Sequence, residues 1–242
     1  MAPSLAYAPV MRPPVLLLAL LALLFTACGE DDDPPEPSEK RAAESQSEST
    51  GGDAGGCQEV AAPEPKPDGG AKKPTQPLAP GKTYEVVMAT SCGDFTIRLD
   101  QKISPKTAAS FASLARSGFY DDTVFHRIVP EFVIQGGDPT GTGTGGPGYS
   151  TRDTPPGDTI YSEGVVAMAK TEVEAPGTSG SQFYVVTARD AGLPPDYAVL
   201  GRVVKGQDVV EAIGLLGDPA SGGAGTPLQP VVLDTAKLVA KG

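Results

Sequence analysis

The composition of the chain changes near Lys82, and this change limits how much of it can form a packed domain. Residues 29–80 are rich in Pro, Gly, Glu and Ser and poor in aromatic residues. Such a segment cannot bury enough apolar surface to offset the conformational entropy lost on folding. The roughly 160 residues that follow contain recurring β-branched and aromatic residues, a usual size for one domain with a sizeable core. We therefore predict a folded domain over residues 82–242, preceded by a disordered acidic, Pro-rich tether over residues 28–81.

The first 27 residues have the pattern of a secretory signal peptide. Arg12 precedes an apolar run over residues 15–25, and Thr26, Ala27 and Cys28 follow it. The run is shorter than the about 18–20 residues that a membrane-spanning helix needs. A cysteine at the cleavage position resembles the bacterial lipobox, which implies an acylated Cys28 and an exported protein tethered to a bacterial membrane. An ordinary signal peptide with a chance cysteine is the alternative.

Two further cysteines, Cys57 and Cys92, remain if Cys28 carries lipid. An exported protein folds in an oxidising compartment, where a disulfide bond between them can persist. The sequence leaves open whether they pair or remain two unrelated thiols.

Residues 82–242 are predicted to contain short strands and two helices. Ser104 and Pro105 mark the start of the first helix, which Gly118 ends, and the second helix fits residues 207–213. Many short strands with Gly-rich loops favour a closed antiparallel barrel. The predicted strands cover residues 84–88, 95–99, 123–129, 132–135, 165–169, 182–187, 198–204 and 231–238.

The sequence lacks the residues that several kinds of catalytic and binding site require. His126 is the only histidine, and the segment GTSGS at residues 177–181 ends in Ser where a nucleophile elbow requires Gly. One histidine and scattered cysteines do not supply four zinc ligands, so we predict no metal and no cofactor. The net charge of −11, with no run of Lys and Arg, argues against nucleic acid as a partner.

The segment GTGTGG at residues 141–146 matches the dinucleotide pattern G-x-G-x-x-G. That pattern binds pyrophosphate only where a helix begins directly after the glycines. Pro147, Pro155 and Pro156 follow instead, so we predict a flexible loop and no nucleotide.

The most specific segment covers residues 118–141 and reads GFYDDTVFHRIVPEFVIQGGDPTG. It resembles the signature of the cyclophilin family, F-H-R-[IV]-[IV]-x-x-F-x-[IV]-Q-G-G-D-P-T-G-x-G. The resemblance continues in the family's order at residues 165–169, 180–184 and 200–204, and it spans residues 84–240. It implies a mostly β fold, a closed eight-stranded antiparallel β-barrel capped by two α-helices. It also implies peptidyl-prolyl cis–trans isomerase activity.

The same resemblance implies a catalytic residue and a substrate site. Arg127 matches the catalytic arginine, which would stabilise the twisted amide; an isolated arginine would more often pair with a surface carboxylate. His126 is expected to be structural. The residues implied for substrate binding are Phe132, Val133, Gln135, Ala169, Lys170, Gln182, Tyr184, Leu193 and Tyr197.

Four positions depart from common members of the family. Val133 replaces Met, Lys170 replaces Asn, Gly192 replaces Trp and Tyr197 replaces His. The missing Trp is expected to weaken binding of cyclosporin-type inhibitors more than it affects catalysis.

The resemblance predicts an isomerase that acts on proline-containing polypeptides folding outside the cytoplasm, held at a membrane by lipid on Cys28. A non-catalytic module that holds proline-containing segments of envelope proteins is the alternative, and a structural envelope protein is a third. Arg127, Phe132 and Gln135 favour the enzyme, because a pure binder does not need an arginine at the prolyl nitrogen.

Overall fold

The computed structural model describes residues 56–242, in which short strands alternate with loops and two α-helices. The predicted signal peptide and Cys28 lie outside these residues. The helices are α1 (Pro105–Arg116) and α2 (Gln207–Gly214), and a 3-10 helix covers Pro219–Ala224. The strands are β1 (Thr83–Thr90), β2 (Gly93–Leu99), β3 (Thr123–Val124), β4 (Arg127–Val129), β5 (Val133–Gly136), β6 (Thr151–Arg152), β7 (Val165–Met168), β8 (Thr178–Ser179), β9 (Phe183–Val186), β10 (Val199–Lys205) and β11 (Val232–Lys241).

Nine of the strands form one curled antiparallel sheet, in the order β3-β11-β1-β2-β10-β7-β9-β5-β4. The mostly β cyclophilin-like architecture is confirmed, but the prediction of a closed eight-stranded barrel is wrong. The sheet has nine strands, and its end strands β3 and β4 do not pair with each other. The remaining strands, β6 and β8, pair only with each other.

The ninth strand arises because residues 123–129, predicted as one strand, break into two. Val124 pairs with β11, whereas Arg127 pairs with β5 at the other end of the sheet. Phe125 makes the last hydrogen bond along β11, from its N–H to the carbonyl of Val231 (3.0 Å), and its ring is buried in the core. The chain thus changes its partner from β11 to β5 within the two residues Phe125 and His126.

Both predicted helices are confirmed, with α1 ending two residues before Gly118 and α2 ending at Gly214. Ser104 is the N-cap residue of α1, but its hydroxyl makes no hydrogen bond there. The Asp153 carboxylate accepts from the N–H of Thr107 instead (2.7 Å), and an anion is stabilised at this end of a helix. No helix within residues 56–242 is long and apolar enough to cross a membrane.

Strands β7 and β9 are buried on both faces, which places two apolar clusters on opposite sides of the sheet. On one side, Phe111 of α1 packs edge-on against Phe183, with ring centroids 5.5 Å apart. On the other side, the neighbouring residue Tyr184 belongs to a smaller second cluster. Successive strand residues point to opposite faces, so this alternation follows from the geometry of β9.

Residues 57–73, which we call the strap, lie against the folded domain. The backbone N–H groups of Lys66, Gly69 and Ala71 donate to the carbonyls of Pro139, Gly146 and Pro147, at 2.8, 2.9 and 3.1 Å. A disulfide bond joins Cys57 to Cys92, which answers the question that the sequence left open. The prediction of a disordered tether is therefore wrong for the strap. Backbone hydrogen bonds and a covalent bond hold it, and neither depends on apolar composition.

Candidate active site

Arg127 is half-buried on β4 and lies opposite Gln135 of β5 in the ladder. Its Nε and Nη2 atoms donate to the carbonyl of Gly223 (3.1 and 3.0 Å), and Nη1 donates to Oε1 of Gln135 (3.4 Å). Burial lowers the pKa of Arg127, against an opposite effect of Tyr197, but an arginine stays charged at neutral pH. Within residues 56–242 the ion pairs formed by arginine and lysine are those to Glu85, so Arg127 is not paired with a surface carboxylate.

A chain of hydrogen bonds continues from Arg127 through two glutamines. Nε2 of Gln135 donates to Oε1 of Gln182 (3.0 Å). Nε2 of Gln182 in turn donates to the carbonyls of Gly143 (3.0 Å) and Gly145 (2.9 Å). The predicted residues Arg127, Gln135 and Gln182 thus form one polar row whose far end is fixed by backbone carbonyls.

The apolar residues predicted for substrate binding come together in the second cluster. Val133 and Tyr184 are buried there, and the ring of Phe132 lies 5.9 Å from Cζ of Arg127. A cluster of this kind beside a fixed cation suits a small apolar ring attached to a polar backbone. The predicted residues that belong to the cluster are Phe132, Val133, Ala169, Tyr184, Leu193 and Tyr197.

Tyr161 belongs to the same cluster and was not predicted from the sequence. Its hydroxyl donates to the carbonyl of Tyr197 (2.6 Å) and accepts from the N–H of Tyr197 (3.0 Å). Burial raises the pKa of Tyr161 to about 12, so the hydroxyl remains a donor at neutral pH. Tyr161 lies in a Pro-rich loop, and an aromatic residue in a polar segment is the only signal that could have indicated it.

Lys170 lies at the edge of the site, beside the end of β7. Its Nζ atom is 5.4 Å from the centroid of the Tyr197 ring and donates to the carbonyl of Thr171 (3.2 Å). Next to it, the N–H of Ala169 donates to the carbonyl of Gln182 (2.9 Å). Lys170 therefore joins the predicted group by a cation–π contact that the sequence did not indicate.

His126 precedes the arginine, and neither of its ring nitrogens has a hydrogen-bond partner among the described residues. Burial lowers the pKa of His126, an effect that Arg127 reinforces and Asp138 opposes, so the ring is neutral at pH 7. The polar side chains near the ring, Asp138, Gln182 and Arg127, make their hydrogen bonds to other groups, which favours the structural role expected from the sequence.

The glycine loop, residues 138–148, is organised by the buried carboxylate of Asp138. This carboxylate accepts from Thr140 N (2.7 Å), Thr140 Oγ1 (2.9 Å), Gly143 N (2.6 Å) and Gly145 N (3.1 Å). Burial raises the pKa of Asp138, but these hydrogen bonds outweigh it and hold the pKa below its usual value. A Cβ atom on Gly145 would collide with Asp138, which explains the glycine. Because the N–H groups of Thr140, Gly143 and Gly145 already bind a carboxylate, they are not a free phosphate cradle.

Comparison with known proteins assigns this chain to the peptidyl-prolyl cis–trans isomerases. The family model for cyclophilin type peptidyl-prolyl cis-trans isomerase matches residues 85–238. Peptidyl-prolyl cis-trans isomerase-like 1 of Aspergillus fumigatus is 38% identical over 162 residues, which cover 65% of this chain and 97% of that protein. Peptidyl-prolyl cis-trans isomerase CYP18-2 of Arabidopsis thaliana is 40% identical over 141 residues, which cover 55% of this chain and 82% of that protein. The chain therefore belongs to the cyclophilin-type peptidyl-prolyl isomerase family.

A solved structure agrees with this assignment. The cyclophilin type isomerase of Cryptosporidium parvum, crystallised in the presence of the dipeptide Ala-Pro, is 29% identical with a TM-score of 0.57. The match covers 65% of this chain and 99% of that protein.

Proposed function

We propose that this isomerase accelerates X–Pro exchange in exported proteins and that Arg127 stabilises the twisted amide. The observation that carries the proposal is the half-buried guanidinium beside the second cluster, which forms no ion pair within residues 56–242. An arginine has five N–H donors, and Gly223 and Gln135 take three of them. Two donors therefore remain for a substrate.

The chemistry requires no covalent step. Rotation about the X–Pro bond has a barrier of ~18–20 kcal/mol because the amide is conjugated. Twisting the bond breaks the conjugation and leaves a lone pair on the prolyl nitrogen. A fixed donor near that nitrogen binds the twisted amide more tightly than either planar form, which lowers the barrier.

The substrate would place its proline ring in the second cluster. Phe132, Val133, Tyr184 and Leu193 supply the apolar wall, and Gln135 supplies a polar contact for the peptide backbone. The relative from Cryptosporidium parvum was crystallised in the presence of Ala-Pro, which supports a proline-containing peptide as the ligand here.

The proposed location is outside the cytoplasm, with the protein tethered to a bacterial membrane as a lipoprotein. The apolar run at residues 15–25 followed by Cys28 supports export and lipid anchoring. The Cys57–Cys92 disulfide supports an oxidising compartment, because such bonds are rare in the cytosol. Two or three acyl chains on one residue give stable anchoring, which a single chain does not.

The catalytic proposal is tested by measuring cis–trans exchange of a short Xaa–Pro peptide. We expect Arg127→Ala to lower kcat/KM by about 100-fold or more, as for removal of one preorganised donor. Arg116→Ala, which removes an exposed arginine at the end of α1, is the matched control and should leave the rate unchanged. Exchange by the wild-type chain no faster than the uncatalysed rate, with peptide still bound, would favour the non-catalytic binding module.

The anchoring proposal is tested on the protein expressed in a bacterial host with its leader. The mature N-terminus should begin at Cys28 and carry the mass of two or three acyl chains. Cys28→Ala should release the protein from the membrane fraction. An unmodified Cys28, or cleavage at another residue, would refute the lipid anchor.

A further inference from the structure

The strap precedes residue 85, where the match to the family begins, yet it contacts the loop that supports the active site. We propose that the strap supports the active site at Asp68 and Gly69, and that Asp68 is a positioning residue for Arg127. Asp68 acts through the glycine loop and the glutamines Gln182 and Gln135. The kinetic part of this proposal rests on the proposed function.

The inner side of the glycine loop holds the polar row of the active site. The carbonyls of Gly143 and Gly145 fix both N–H groups of the Gln182 amide. These two bonds fix the direction of Oε1 of Gln182, which accepts a hydrogen bond from Nε2 of Gln135. Oε1 of Gln135 in turn accepts a hydrogen bond from Nη1 of Arg127. Movement of the loop would therefore change the orientation of the guanidinium.

The outer side of the same loop is held by the strap. Oδ1 of Asp68 accepts from the N–H of Gly146 (2.8 Å), and the N–H of Gly69 donates to the carbonyl of Gly146 (2.9 Å). Both backbone polar groups of Gly146 are therefore fixed, and its N–H belongs to the same peptide unit as the Gly145 carbonyl that binds Gln182. At Gly148, which has a φ of +84°, a Cβ atom would lie 3.2 Å from Cα of Gly69, and only glycine allows this close approach.

The strap can hold the loop because other contacts fix the strap to the domain. Cys57 is bonded to Cys92 in the β1–β2 turn. The ammonium of Lys66 donates to the carbonyls of Gly118, Phe119 and Asp121, which follow α1. Lys73 donates to the carbonyl of Ser150 (2.7 Å), just beyond the loop. The strap is thus fixed to the domain on both sides of Asp68 and Gly69, the residues that contact Gly146.

Without the strap, the loop would keep its hydrogen bonds to Asp138 and Gln182 but would lose those that hold Gly146 and Pro147. A segment rich in Gly loses much conformational entropy when it is ordered, so few contacts leave it mobile. Orientation of a catalytic group affects the rate strongly, and a displacement of about 1 Å can cost 100-fold. Loss of the contacts to the strap should therefore lower kcat more than it weakens the binding of peptide.

The test compares Asp68→Ala, Asp68→Asn and Glu59→Ala in the disulfide-bonded protein. We expect Asp68→Ala to lower kcat about three- to tenfold, the effect of one or two lost hydrogen bonds, with a smaller change in KM. Asp68→Asn keeps an oxygen acceptor and should restore most of kcat. Glu59 is an exposed strap carboxylate without a side-chain hydrogen bond to the described residues, and Glu59→Ala should leave kcat unchanged.

A second readout separates positioning from a general loss of stability. The side-chain NH2 signals of Gln135 and Gln182 in ¹⁵N–¹H spectra should shift or broaden in Asp68→Ala and remain unchanged in Glu59→Ala. Unchanged amide signals together with an unchanged kcat in Asp68→Ala would overturn the proposal. The amide signals do not require turnover, so they decide the positioning role even if the wild-type chain proves inactive as an isomerase.

Discussion

At the scale of single residues, the second cluster contains two buried tyrosines whose hydroxyl groups have opposite surroundings. The hydroxyl of Tyr161 makes two hydrogen bonds to the backbone of Tyr197. The hydroxyl of Tyr184 is buried with no partner among the described residues, and burial raises its pKa well above the usual value. The first hydroxyl orders the site, whereas the second carries a desolvation cost.

Replacement of Tyr161 by Phe should destabilise the protein. The change leaves an N–H and a carbonyl of Tyr197 without their partner, which costs about 1–3 kcal/mol for a buried group. Tyr197 is a wall of the proposed proline site, so KM for a proline peptide should also rise. Urea unfolding and peptide kinetics measure the two effects.

Tyr184→Phe is the matched control for stability. It removes a hydroxyl that makes no hydrogen bond, so the free energy of unfolding should stay the same or increase. Equal destabilisation by both substitutions would show that packing, and not the hydrogen bonds of Tyr161, determines the effect.

The sequence predicted the residues of the site that lie in recognisable motifs, but not those that support them. Arg127, Gln135 and Tyr184 lie within motif segments, and the structure brings them together. The backbone carbonyl of Gly223 accepts two hydrogen bonds from the guanidinium of Arg127. Every residue type has such a carbonyl, so the sequence could not indicate Gly223. Asp138 was part of the motif, but its bonds to Gly143 and Gly145 depend on the path of the loop. Such partners are determined by backbone geometry, on which residue type gives little information.

At the scale of elements, periodicity predicted most strands and both helices because each has one clear apolar pattern. Residues 123–129 were predicted as one strand but change partner from β11 to β5 at Phe125 and His126. The strands β6 and β8, of two residues each, are too short for any period to show and were not predicted. The strap was missed for a different reason. Its composition is that of a disordered segment, while its order comes from the Cys57–Cys92 bond and hydrogen bonds to the glycine loop.

The disulfide should contribute strongly to stability as well as to the position of the strap. It joins residues 35 apart, and the chain-entropy relation gives about 3–4 kcal/mol for a loop of that length. The double substitution Cys57→Ser and Cys92→Ser should lower the free energy of unfolding by about this amount. Urea unfolding of the oxidised proteins measures it.

Reduction provides an independent check of the disulfide contribution. A thiol reductant should bring the wild-type protein to the stability of the double serine variant, and it should not affect that variant. Stability of the wild-type protein that is unchanged by complete reduction would contradict the prediction.

At the scale of the whole molecule, the ion pairs of one buried carboxylate connect three strands of the sheet. Glu85 of β1 is 3% exposed and forms ion pairs with Arg98 of β2 (3.2 Å) and with Lys241 at the end of β11. The hydrogen bond from Lys241 lowers the pKa of Glu85, burial opposes this, and Arg98 lowers the pKa further. The ionised form is therefore favoured in the folded protein.

Because the pKa of Glu85 is lower in the folded protein than in the unfolded chain, the free energy of unfolding depends on pH. The contribution of Glu85 is fully present above the pKa of an unfolded glutamate, about 4.3, and is lost as the pH falls through the lower folded value. Glu85→Gln should therefore destabilise the protein at pH 7, and the difference from the wild type should shrink below about pH 4.

Unfolding free energies measured from pH 7 to pH 3 test the role of Glu85. The matched control is Glu211→Gln, an exposed position on α2, which should give a small difference at every pH. A Glu85→Gln difference that is constant over this range would show that ionisation of Glu85 does not contribute.

The break at Phe125 also has a consequence for how the protein behaves among unfolded chains. Because the break supplies both ends of the nine-stranded sheet, the outermost strands are β3, with two residues, and β4, with three. A longer exposed border offers unpaired N–H and carbonyl groups onto which another extended chain can add, and such addition leads to aggregation. The end strands themselves leave little room for it, but β3 covers only Val232 and Leu233 of β11. On the uncovered part of β11, Asp121 and Asp122 already bind the backbone of Ala236 and Asp234, and the exposed Lys237 adds a charge that disfavours such addition. In the role proposed for it, the isomerase can thus bind a proline in an unfolded chain while offering that chain few free backbone groups onto which to add.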